Sequence, residues 1–133
     1  MVHRLVRRRS VRYHLFMLHR ILATASWALL AFIVYVTLSR IQYRPTLPGG
    51  PGSDRILAFM ALGAFFAAAY PKRLFLVCSV VLGSAVLLEL TQTLAPDRHA
   101  RLLDAAQKLF GGSLGIIVGL IVLYMTPRSW FEI

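Results

Sequence analysis

Cysteine is almost absent: there is one, Cys78, and it sits inside an apolar block. A single cysteine rules out an intrachain disulfide and a cysteine metal cluster. Acidic residues are also scarce, five against fifteen Lys and Arg, which leaves a formal net charge of +10. No Gly-rich phosphate loop occurs and no nucleophile sits beside a base, so no catalytic residue is assigned. One histidine near the carboxylates, His99, is too few for a metal site, and no metal or cofactor is expected. Long polar runs, low-complexity tracts and a segment able to form a soluble domain are missing too.

Apolar residues dominate, 58% of the 133 residues, and they fall in blocks rather than alternating. Blocks of about 18 or more apolar residues read as membrane-spanning helices. Four such stretches follow in order: 21–38, 55–70, 74–94, and one that opens between Asp97 and Leu102 and closes near Met125. The expected fold is all-α, a polytopic membrane protein with a bundle of four transmembrane helices spanning 21–126. A basic segment, 1–20, precedes it and a short tail, 127–133, follows.

A charge of +10 would ordinarily suggest nucleic acid. Here many basic residues flank apolar blocks, which points to topology and to anionic lipid headgroups at the N-terminal segment, with no nucleic-acid partner. Arg4, Arg7, Arg8, Arg9, Arg12 and Arg20 precede the first block, whereas only Arg40 and Arg44 follow it at once. The first block is longer than a signal-peptide core and lacks a clear cleavage site, so it reads as a retained helix. The positive-inside rule then puts both termini in the cytoplasm.

Residues 39–53 carry three prolines and several glycines and read as an external loop, with Ser53 as the N-cap of the second helix and Asp54 in its first turn. Gly63, Gly83, Gly111, Gly115 and Gly119 are candidate helix-packing positions. The last three repeat every fourth residue, a surface suited to close helix approach.

The polar turn between the third and fourth blocks is the centre of interest. Glu89 and Gln92 share a helix face, Pro96 breaks the helix, and Arg98, Arg101 and Asp104 follow. Asp104 and Lys108 are four residues apart on one face. An ionisable group at this depth is costly and suggests a function. With both ends inside, Arg44, Asp54, Gln92, Arg98 and Asp104 converge at the outer surface, with Glu89 just below it. The cluster reads either as a ligand site or as ion pairs that lock loops to helices. In the second case Glu89 pairs with Arg98, and Asp54 or Asp104 with another arginine.

These residues, in this order, resemble the VanZ-like family. The matching pieces are Arg44-Pro45, Leu47-Pro48, Asp54-Arg55 with Phe59, Glu89-x-x-Gln92, Pro96-x-Arg98, Asp104, Gly111 and Gly115, over about half the chain. The resemblance implies a small four-helix protein of the bacterial cytoplasmic membrane and cell envelope, linked to low-level resistance to the glycopeptide teicoplanin. The family's usual His, Tyr and Asn are replaced here by Ala58, Leu62 and Lys108. The alternative is a non-catalytic accessory or assembly subunit of a larger membrane complex, docked through the second helix or the glycine face of the fourth.

Overall fold

The computed structural model describes residues 2–39, 48–94 and 102–126; for 2–11 and 51 the backbone alone is described. The external loop residues 40–47, the turn 95–101 and the tail 127–133 lie outside this set, and with them Arg44 and Arg98. Among the described residues every regular element is an α-helix. The four are α1 (Val2–Leu38), α2 (Pro51–Ala69), α3 (Leu74–Thr93) and α4 (Leu102–Met125). All four are long and apolar enough to cross a membrane, which marks a multi-pass membrane protein.

α1 differs from expectation. The basic segment and the first apolar block form one helix of 37 residues, about 56 Å long at the standard rise. The reason lies in the sequence: no proline or glycine interrupts 2–38. At its far end Ser39 folds back, its backbone N–H and its Oγ both donating to the Tyr35 carbonyl.

α2 starts earlier than the expected Arg55, and Ser53 is not its cap. Gly50 is the N-cap, with φ 87°, a left-handed backbone that favours glycine. Pro51 takes the first helical position, where its missing N–H costs nothing. Ser53 lies inside the helix and its Oγ donates to the Gly49 carbonyl at 3.1 Å. Asp54 falls in the first turn, as read from the sequence. A tight turn at Pro71–Lys72, closed by Arg73 N–H donating to the Tyr70 carbonyl, leads into α3.

The bundle is built on α2 and α4, which form its most extensive interface. Gly111 abuts Ile56, Gly115 abuts Met60 and Gly119 abuts Ala64, so the two helices run parallel and in register, one turn per step. A methyl group built on Gly115 would land on the Met60 carbonyl. One on Gly119 would come within 2.8 Å of the Ala64 carbonyl oxygen. Gly63 returns the contact against the Gly112 carbonyl. Backbones this close gain dispersion contacts that larger side chains would hold apart, the main source of helix association in lipid. Gly83 is different: a side chain there would meet nothing within 4 Å.

α1 packs on α2, and α3 packs on α4 and α2. The buried core joins Phe59, Leu62 and Phe66 of α2 to Val77, Val81 and Ala85 of α3, with Ile33 of α1 and Ile116 of α4. Trp27 of α1 meets Phe66 edge-on at 5.3 Å, and its Nε1 donates to the Tyr70 hydroxyl at 3.2 Å. Buried Ser26 needs no partner from another helix, because its Oγ donates to the Leu22 carbonyl. Many large apolar side chains, Phe75 and Tyr124 among them, point out of the bundle. In a bilayer these face lipid, which imposes no penalty on them.

Candidate functional site

The polar residues gather at one end of the bundle, where α2 and α4 begin and α3 ends. Glu89 lies one turn from the end of α3, about 6 Å below Thr93. Lys108 lies six residues into α4. These opposite positions bring them to the same depth, and Lys108 Nζ donates to Glu89 Oε2 at 2.7 Å. Both residues are buried, with 8% of Glu89 and 3% of Lys108 exposed. Among the described residues the partner of Glu89 is Lys108; the expected contact with Arg98 lies outside the described residues. Within that set the carboxylate is half satisfied: Oε1 is buried and without a hydrogen-bond partner among the described residues.

A second pair lies nearer the surface. Arg55 Nη1 in the first turns of α2 donates to Asp104 Oδ1 at 2.8 Å. Their side chains are 28% and 14% exposed, so this pair keeps some water. One turn of α4 thus sends two charges in two directions, Asp104 to α2 and Lys108 to α3. Spacing alone put Asp104 and Lys108 on one face. Their separation arises because α4 lies between both neighbours.

Gln107 adds a third polar contact point. Its amide lies over Gly52, where a Cβ would sit 2.9 Å from Nε2, and its Oε1 is a second buried acceptor without a donor among the described residues. Gln92 is half-buried on α3 and makes no side-chain hydrogen bond among the described residues. Asp54 stands in the first turn of α2, where its charge suits the helix dipole. Of the six residues expected to converge, Asp54, Glu89, Gln92 and Asp104 are placed at this end of the bundle. Arg55, Gln107 and Lys108 join them as members the sequence reading left out of the cluster.

Among the described residues the arrangement shows two ion pairs and two buried acceptors without a donor. Nothing among the described residues groups three His, Cys, Asp or Glu side chains around a point, as a metal centre requires. Ala58 and Leu62, where the family resemblance leads one to expect His and Tyr, lie on α2; Leu62 is wholly buried and Ala58 packs against the core. Comparison with protein-family models, curated proteins and solved structures finds no match for this chain.

Proposed function

We propose that this chain is a VanZ-like integral membrane protein of the bacterial cytoplasmic membrane, with both termini in the cytoplasm. Its outward polar end binds a lipid or cell-wall-related ligand and contributes to glycopeptide-type resistance. The role is one of binding rather than catalysis. The observation that carries this reading is the half-satisfied carboxylate of Glu89. A buried acceptor normally finds a donor, and here, among the described residues, one oxygen of a costly buried charge has none, beside a fixed ammonium. The ordered motif from Asp54 to Gly115 supports the family assignment, and the excess of arginine before α1 supports the orientation.

Of the two faces expected for the accessory-subunit alternative, the outward side of α2 is left and the glycine face of α4 is not. The glycine face of α4 is already packed against α2 within this chain.

The test must respect the pair. Glu89→Gln alone strands a buried ammonium, so the informative variant is Glu89→Gln with Lys108→Gln, which removes both charges together. Teicoplanin susceptibility and membrane abundance are measured side by side. The ligand-site reading expects resistance to be lost at near-normal abundance, with the same result for Arg98→Ala. Full resistance with Glu89, Lys108, Arg98 and Asp104 all neutralised overturns it, as does a loss that merely tracks abundance.

A further inference from the structure

The opposite end of the bundle holds a separate feature. The α2–α3 turn and the side of α1 enclose an open recess of about 410 Å³, lined by His19, Tyr70, Pro71, Lys72 and Arg73 over the buried Ala69. That volume is within the range of small-ligand clefts, about 300–1,000 Å³. Three of the lining side chains are basic, and they come from two segments far apart in sequence. His19 is fixed edge-on against the Tyr70 ring at 5.8 Å. Lys72 and Arg73 stand exposed on the turn, and neither forms an ion pair among the described residues.

Charge is distributed unevenly along the bundle. The described carboxylates, Asp54, Glu89 and Asp104, all belong to the other end, two of them spent on Arg55 and Lys108. α3 also opens at this recess without a side-chain cap and without an acid in its first turn. The cations of the recess therefore have no described counter-ion in the chain. On the bilayer side the neighbours are apolar and outward-facing: Ile21 follows His19, and Leu74 and Phe75 follow Arg73, all exposed. Cations at the mouth and apolar side chains around it match an amphiphile with an anionic head.

We infer that this recess binds a phosphate group carried by an anionic phospholipid, with Lys72 and Arg73 on the phosphate oxygens and the acyl chains along α1 and α3. Basic pockets between helices at a membrane boundary select such headgroups. The site is at the far end from Glu89 and does not depend on the role proposed there.

The experiment uses the full chain in mild detergent, delipidated and then given dioleoyl-phosphatidylglycerol, dioleoyl-phosphatidylcholine or inorganic phosphate. Thermal shift and native mass spectrometry report stabilisation and retained lipid. Phosphatidylglycerol is expected to raise the melting temperature and to remain as a bound adduct. Lys72→Gln with Arg73→Gln should weaken that binding at least tenfold while leaving the lipid-free melting temperature unchanged, since both side chains are exposed. Arg7→Gln, Arg8→Gln and Arg9→Gln together should leave it intact. The inference is overturned if the turn variant keeps its phosphatidylglycerol or if phosphatidylcholine binds equally well. It is also overturned if the loss follows the Arg7–Arg9 changes instead. Stabilisation by inorganic phosphate as large as that by phosphatidylglycerol would replace the lipid with a soluble anion and overturn the lipid assignment.

Discussion

Lys108 Nζ lies 2.7 Å from Glu89 Oε2, and the two buried side chains tie α3 to α4 at a single depth. Removing one partner leaves a bare charge in a dry place, which costs roughly 3–5 kcal/mol. Lys108→Met should therefore lower the melting temperature of the detergent-solubilised protein sharply. Adding Glu89→Leu should recover most of the loss, since a well-packed apolar pair is often as stable as a buried ionic one. Equal stability of Lys108→Met and the parent protein would show that Glu89 finds another donor.

The Arg55–Asp104 pair should respond more weakly. Its side chains remain partly hydrated, and exposed pairs contribute about 0.2–1 kcal/mol. Arg55→Gln is expected to change unfolding by no more than about 1 kcal/mol, well below the effect of Lys108→Met. A larger loss than Lys108→Met would reverse the ranking of the two pairs.

Glycine positions should divide sharply. Gly115→Ala places a methyl on the Met60 carbonyl and forces α2 and α4 apart, at about 1–3 kcal/mol for overpacking. Gly83→Ala enters open space and should leave stability unchanged. Comparing the two by thermal unfolding separates packing glycine from lipid-facing glycine; similar losses would contradict the seam.

Orientation is checked by cysteine labelling in intact cells on a Cys78→Ala background. Gly49→Cys and Lys72→Cys occupy opposite ends of α2, both at exposed positions. Position 49 should react with an impermeant reagent and position 72 should be protected. The reverse pattern would turn the Glu89 end toward the cytoplasm.

The four helices were legible because each is an uninterrupted apolar block and lipid demands internally bonded backbone. The start of α2 lies before Ser53 because Gly50-Pro51, a pair whose composition reads as a helix breaker, here supplies a glycine cap followed by proline at the first helical position. The continuity of α1 was hidden by its change of composition, although nothing in its backbone chemistry stops the helix. The glycine repeat of α4 was legible as a contact surface, but its partner was not. Periodicity identifies a face and leaves open which helix meets it. The same holds for Glu89. Its need for a cation was legible, whereas the choice of Lys108 depends on how far α3 and α4 slide past one another.

The parallel register of α2 and α4 has a consequence for the order of assembly. Two parallel helices joined through one intervening span cannot meet until the chain has crossed the membrane twice more. α2 is the least apolar of the four spans, and its seam residues Ile56, Met60 and Ala64 lean on a helix that begins at Leu102. During synthesis α2 therefore waits in the bilayer with its closest contact unmade, held by α1 and α3 alone. A chain that stops before Leu102 retains three spans but lacks the surface on which α2 settles, so it should remain a substrate for quality-control proteolysis.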